Sequence, residues 1–241
     1  MALLEVQNIA KRFGGLVAVN EFSLSLDRGE IVALIGPNGA GKTTAFNVIA
    51  GYYKADAGKV LFNGRDITNL RPDQICALGL VRTFQVVRPF RGLSVLENVM
   101  IGAYARTNNN HEALARAEEV LDFLGMSKLS DRVASGLPIA GRKRLEIARA
   151  VATDPQVLLL DETMAGLRPL ETEEVIGMVR KLSERGIAIF LVEHVMKVVM
   201  SLAERIIVLH HGETIAQGIP SEVVRNPQVI DAYLGEANAT S

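Results

Sequence analysis

The chain has 241 residues, of which 49% are hydrophobic, and its 26 Lys plus Arg against 27 Asp plus Glu leave a formal net charge of −1. That balance argues against a large basic nucleic-acid surface but leaves room for a local basic patch. Its apolar runs, such as Ile187-Ala188-Ile189-Phe190-Leu191-Val192, fall well short of the roughly 20 residues that span a bilayer, and its single cysteine, Cys76, excludes an intramolecular disulfide or a cysteine-cluster metal site. The length suits one α/β domain, with or without a smaller lobe, and can bury a substantial core. Met1-Ala2-Leu3-Leu4-Glu5-Val6 has no basic flank ahead of an apolar core, so no secretory signal is predicted and the chain is expected to be soluble and intracellular.

In chain order, Leu3–Ile9 alternates apolar and polar residues, as an antiparallel strand near a sheet edge would. Lys11-Arg12-Phe13-Gly14-Gly15 reads as a turn, and Val17–Leu26 alternates again. Phe13 fits equally a core or turn ring and a ring stacked on a nucleotide base. The buried-strand run Ile31–Ile35 then leads into Gly36-Pro37-Asn38-Gly39-Ala40-Gly41-Lys42-Thr43-Thr44 and a helix-compatible segment, Thr44–Ala50. Strand, glycine-rich turn and helix form the context of a phosphate-binding loop. Gly36, Gly39 and Gly41 allow successive N–H groups to converge on an anion, and the helix N-terminus adds its dipole. Lys42 is expected to reach the β- and γ-phosphates and the Thr43 hydroxyl to coordinate Mg²⁺. A chance glycine turn would not fill every fixed position of that motif with both flanks in place. The chain is therefore read as binding a nucleoside triphosphate.

Beyond it, Lys59–Phe62 is a strand closed by an Asn63-Gly64 turn, and Arg71-Pro72-Asp73 starts a short helix. Cys76 lies in the amphipathic stretch Pro72–Leu78 and is expected as core filler rather than a nucleophile. Leu80–Gln85 is a second buried strand, whose end places Gln85 where sheet ligands collect. From 93 to about 135 the period becomes helical, opening with a Ser94/Glu97 capping box. This block is read as a helical lobe inserted in the α/β core, with the polar loop Arg106–His111 and an amphipathic helix Glu112–Leu124. Val157-Leu158-Leu159-Leu160-Asp161-Glu162 is a buried parallel strand ending in two acids. Asp161 suits the Mg²⁺ shell and Glu162 general-base work on the attacking water; the bland alternative is that both cap the next helix. Ile187–Val192 ends in Glu193-His194, and His194 could bond the γ-phosphate or the water, although a lone histidine after a strand is more often structural. Arg205–Gln217 forms two short strands around a His210-His211-Gly212 tip, expected to be solvated.

In this order the whole chain resembles the ATP-binding subunit of an ABC transporter, and within that family the branched-chain amino acid importer group. The resemblance rests on Gly36–Thr44, Arg82-Thr83-Phe84-Gln85, Arg144–Ala150, Leu158–Glu162 and Leu191–His194, and for the group on Phe13–Val19, Ala165–Pro169 and Asn226–Gly235. It implies a P-loop NTPase core with an antiparallel β edge sheet and an inserted helical subdomain. It gives Phe13 the adenine-stacking role, Gln85 a Mg²⁺ contact that couples the lobe to the membrane subunits, Glu162 the hydrolytic water, His194 the switch position, and Ala165-Gly166-Leu167 the crossing to a partner ATPase. The implied ligands are ATP and Mg²⁺, with Thr43 and Asp161 completing the metal shell. Integral-membrane permease subunits, a second ATPase or another copy, and indirectly a solute-binding protein are the implied partners, at the cytoplasmic face of the plasma membrane. One segment departs from the family pattern. Where Leu-Ser-Gly-Gly-Gln is usual, the chain has Leu137-Pro138-Ile139-Ala140-Gly141, ahead of a helix placed from Arg142 to Thr153. Pro138 offers phosphate neither a hydroxyl nor an N–H. Either the helix dipole at Gly141-Arg142 and the remaining backbone suffice, or the chain pairs with a second ATPase carrying an intact segment, which predicts a heterodimer with unequal sites. A urea or amide importer, a lipopolysaccharide-type exporter, and a soluble ABC ATPase without a membrane partner share much of this motif set.

Overall fold

The computed structural model describes residues 2–83 and 89–239, the last six by backbone alone. Strands β1 (Leu4–Phe13) and β2 (Leu16–Leu26) form a hairpin about Gly14-Gly15, with Phe13 opposite Leu16. β3 (Ile31–Ile35) leads into α1 (Lys42–Ile49), and β4 (Ala57–Phe62) and β5 (Arg65–Asp66) form a second hairpin. Asn63 (φ 49°) and Gly64 (φ 73°) give that hairpin the left-handed pair that its two-residue turn needs.

Two expectations change here. β1 lies between β2 and β4 and so is internal to its sheet. Its alternation hides Leu4, Val6 and Ile9 while its backbone bonds on both flanks. Lys11–Phe13 continues that strand instead of turning, because Asp56 accepts from Lys11 Nζ at 2.8 Å and from Arg12 N at 2.7 Å.

After α2 (Pro72–Leu78) and β6 (Leu80–Arg82) come α3 (Val95–Ala103), α4 (Asn110–Phe123) and α5 (Ile139–Ala152). The capping box forms, with Glu97 N donating to Ser94 Oγ at 3.1 Å and Ser94 N to Glu97 Oε2 at 2.7 Å. α4 starts at Asn110, inside the stretch expected as loop, because the Asn109 side chain accepts from His111 N and caps the helix. α5 begins at Ile139, three residues before the expected start: Pro138, extended at φ −62° and ψ 168°, sits at the N-cap, where its missing N–H costs no helical bond.

α3 and α5 approach so closely at Gly102 that an added Cβ would lie 2.2 Å from the Arg149 carbonyl oxygen and 3.1 Å from Ala152 Cβ. Gly102→Ala is therefore expected to destabilise the fold by about 3 kcal/mol through overpacking. Calorimetry should show Tm lowered by roughly 6–12 °C.

The chain continues through β7 (Val157–Asp161), α6 (Pro169–Glu184), β8 (Ala188–Val192), α7 (Met196–Leu202), β9 (Arg205–His210), β10 (Glu213–Gly218), α8 (Pro220–Val223) and α9 (Pro227–Ala239). His210 ends β9, so the tip of the last hairpin is His211-Gly212. Among the described residues the strands form two sheets, β2-β1-β4-β5 and β10-β9-β3-β8-β7-β6. The first is antiparallel; the second is parallel except for the β9–β10 pair.

β3, β7 and β8 are buried along their whole length, as strands covered on both faces must be. Their pleat divides the side chains between two cores. Val32, Leu34, Val157, Leu159 and Phe190 pack with α1 and the antiparallel sheet, and Phe46 and Phe190 stack with centroids 4.8 Å apart. Ile31, Ala33, Ile35, Leu158 and Leu160 face the core shared with α3, α4 and α5. Cys76 is half-buried against that second core and its thiol pKa is raised by desolvation, which makes it a poor nucleophile.

Candidate active site

Parallel register puts Leu34, Val192 and Asp161 in one row across the sheet. The residues that follow them, Gly36–Thr44, Glu193-His194 and Glu162, therefore leave at the same carboxyl edge, where open α/β sheets hold their ligands.

The glycine-rich loop is held by contacts that admit no side chain. Gly36 (φ 149°) would place a Cβ 2.0 Å from the Leu209 carbonyl oxygen, and Gly41 (φ 104°) would place one 2.2 Å from that of Ala18. Gly39 (φ 77°) has open space but needs its left-handed backbone. The last hairpin braces the loop through Gly212 N, which donates to Ala40 O at 2.9 Å. α1 starts at Lys42 with Gly41 as an N-cap that offers no side-chain acceptor. The N-terminal turn of an α-helix has no upstream helical carbonyls to donate to, which makes this end of α1 suited to an anion. The Lys42 ammonium, on a residue only 8% exposed, donates to the carbonyls of Gly36 at 2.6 Å and Pro37 at 2.7 Å. Pro37 is buried, while Asn38, Gly39 and the Thr43 side chain are exposed at the loop's mouth.

Asp161 follows Val157 and Leu159 in the strand's period of two, so its carboxylate points to the α1 side of the sheet. There Arg82 Nη2 donates to Asp161 Oδ2 at 2.7 Å, and Arg82 Nη1 to Asn47 Oδ1 on α1 at 2.6 Å. Glu162 breaks the alternation. Its φ is +47°, and its N–H donates to Val192 O at 2.9 Å. The side chain is half-buried, and its Oε1 lies 3.9 Å from Nδ1 of the exposed His194, beyond hydrogen-bond reach. Asp161, Glu162 and His194 are thus brought together, and the Gly36–Thr44 loop leaves the same sheet edge. Gln85 lies outside the described residues. Phe13 is not a core residue: it is 43% exposed, edge-on to Tyr53 with centroids 5.3 Å apart, and lies 5.5 Å from Lys11 Nζ. Leu137–Gly141 carries the start of α5. Ile139 is exposed, Ala140 and Gly141 are buried, and Arg142 Nε donates back to Leu137 O at 2.8 Å. A Cβ at Gly141 would lie 3.3 Å from Leu137 Cβ and 3.4 Å from Pro138 Cδ, so the glycine and the proline fit one another.

Two buried charges beside the site were not singled out from sequence. Lys143 Nζ donates to Ala165 O at 2.7 Å and to Glu162 O at 3.1 Å. Glu193, 1% exposed, accepts from Met164 N at 2.9 Å. Burial holds the Lys143 pKa down against the nearby Glu193, Glu146 and Glu162. Burial pushes the Glu193 pKa up, opposed by the Met164 amide and by the charges of His194 and Lys143. The available signal was position: Glu193 directly precedes His194, and Lys143 lies two residues beyond Gly141.

Chemically, the edge offers an anion cradle with a buried cation, oxygen donors on Thr43 and Asp161 suited to a hard divalent ion, and a carboxylate placed to accept a proton.

The chain is similar to known proteins along nearly its whole length. A family model described as "ABC transporter" matches residues 19–165, and one described as "Branched-chain amino acid ATP-binding cassette transporter" matches residues 213–239. The chain is 43% identical over 98% of both chains to the high-affinity branched-chain amino acid transport ATP-binding protein LivG of Salmonella typhimurium. It superposes with TM-score 0.89 and 34% identity on a nucleotide-free ATP-binding cassette from an ABC transporter, covering 97% of this chain and 99% of that one. A dimeric post-hydrolysis cassette bound to ADP and Pi matches with TM-score 0.80 and 26% identity, covering 90% of this chain and 98% of that one. The chain belongs to the ABC transporter ATP-binding subunits, in the branched-chain amino acid group.

Proposed function

We propose that the chain hydrolyses ATP as the nucleotide-binding subunit of an importer for branched-chain amino acids. The observation that carries this reading is the meeting of an anion cradle, Asp161-Glu162 and His194 at one sheet edge in a chain of this family. Lys42 leaves the Gly36 and Pro37 carbonyls to meet the β- and γ-phosphates, and the amides of the 36–44 loop cradle them. Phe13 stacks on the adenine. Thr43, Gln85 and Asp161 would hold Mg²⁺, which would supply charge neutralisation for the phosphates. Glu162 accepts a proton from the attacking water, and His194 hydrogen-bonds the γ-phosphate.

Residues 93–135 act as the helical lobe that couples this chemistry to permease subunits through Gln85. The chain sits as a peripheral subunit on the cytoplasmic face of the plasma membrane; among the described residues no helix is long and apolar enough to cross it. Ala165-Gly166-Leu167 crosses to the second ATPase of the pair. Copurification through a tag on this chain tests the assembly. Polytopic permease chains and a second ATPase support it, and recovery of this chain alone argues against it.

Pro138 favours a heterodimer in which ATP on Lys42 meets an intact partner segment. The partner's ATP faces Leu137–Gly141 and is held less well. At the α5 N-cap, Pro138→Ser adds a hydroxyl able to reach the opposite phosphate, a hydrogen bond to a charged group of about 1.5–3 kcal/mol. Self-association with ATP, followed by sedimentation in a hydrolysis-slowed background, is expected to tighten about tenfold or more. No change in self-association would remove the hydroxyl from the explanation.

A further inference from the structure

Glu162 has a backbone that a non-glycine residue adopts at a cost of order 1–3 kcal/mol, and its φ of +47° must be imposed by its surroundings. Two buried charges from separate elements grip the turn that it opens. The Lys143 ammonium, from α5, bridges the carbonyls of Glu162 and Ala165. The Glu193 carboxylate, one residue past β8, accepts from the amide of Met164 between them.

We propose that Lys143 and Glu193 are positioning residues for hydrolysis, fixing the 162–165 turn so that the Glu162 carboxylate faces the water beside the γ-phosphate. This rests on the reading of Glu162 as the proton acceptor. A packing role alone does not account for the pair. Lys143 is 8% exposed and Glu193 1% exposed, burial that is costly for either charge. Glu193 Oε2 has no hydrogen-bond partner among the described residues. Beside the attraction between the two charges, the hydrogen bonds that Lys143 donates and the one Glu193 accepts from Met164 fall on the backbone of one short turn.

The test uses the transporter complex purified through a tag on this chain. Lys143→Met and Glu193→Leu are expected to lower kcat by about 10- to 100-fold, the effect of misplacing a reacting group by a fraction of an ångström to 1 Å. The Kd for a fluorescent ATP analogue should stay within about twofold, since the phosphate loop is untouched. Glu193→Gln should recover most of the turnover, because its amide oxygen still accepts from Met164. Amide exchange at Met164 should quicken in Glu193→Leu and in Lys143→Met but not in Glu193→Gln. Undiminished kcat in Lys143→Met, or Glu193→Gln as slow as Glu193→Leu, overturns the proposal. So does a fall in kcat matched by lost nucleotide affinity. If Lys143→Met does not fold, the Glu193 pair decides by the same outcomes. Glu162→Gln separates the two readings: fast hydrolysis there removes the proton-acceptor role, whereas a slow Glu162→Gln beside a fast Lys143→Met removes this proposal alone.

Discussion

Glu162→Gln is expected to slow phosphate release by about 100- to 10,000-fold, the range for removal of a general base, while ATP binding persists. The amide preserves the shape of the side chain and cannot take a proton. The backbone that aims it (Glu162 N to Val192 O, and its carbonyl to Lys143) is unchanged by the substitution. Release of labelled phosphate measures the first effect, and a fluorescent ATP analogue the second. Wild-type turnover in the variant would move the proton acceptor elsewhere, with His194, 3.9 Å away, the next candidate. The same variant reports on the 137–141 segment through its mass in solution. A mass that doubles with ATP means that Leu137–Gly141 can close on a neighbour's nucleotide, and the unequal-site proposal weakens. A monomer that nevertheless binds ATP means that the segment fails in a self-pair, and points to a second ATPase.

Alanine at Gly36 or Gly41 is expected to abolish nucleotide binding and to lower thermal stability, whereas alanine at Gly39 should be much milder. At Gly36 and Gly41 the new Cβ would lie 2.0 Å and 2.2 Å from backbone oxygens of β9 and β2, which cannot rotate aside as a side chain would. The loop or both strands must shift, and with them the cradle of amides. At Gly39 nothing lies within 4 Å, so the cost is the left-handed backbone alone, about 1–2 kcal/mol. Thermal melts and titration with a fluorescent ATP analogue give the ranking. Equal losses at the three positions would show that φ, rather than the packed carbonyls, governs the loop.

Residues near one another in sequence were legible before the fold. The 36–44 loop declares itself because a strand, its glycines, a lysine and a helix start lie within one short segment, and local geometry alone sets their chemistry. Asp161-Glu162 was legible for the same reason, as acids closing an apolar run. The Ser94/Glu97 cap and the Asn63-Gly64 turn depend on three residues or fewer of separation. Edges and ends were less legible: β1 is internal because of strands on both flanks, and α5 starts early because Pro138 takes the N-cap.

What the sequence determined by itself was therefore the family, the glycine-rich loop between β3 and α1, and the acids that close β7. The tertiary structure alone decided which way those groups face and what holds them. Arg82 reaches Asp161 across 79 positions and Glu193 reaches Met164 across 29, and the oxygens that require glycine at 36 and 41 come from β9 and β2. No local periodicity encodes such contacts, because they arise when parallel register places distant strand ends in one row.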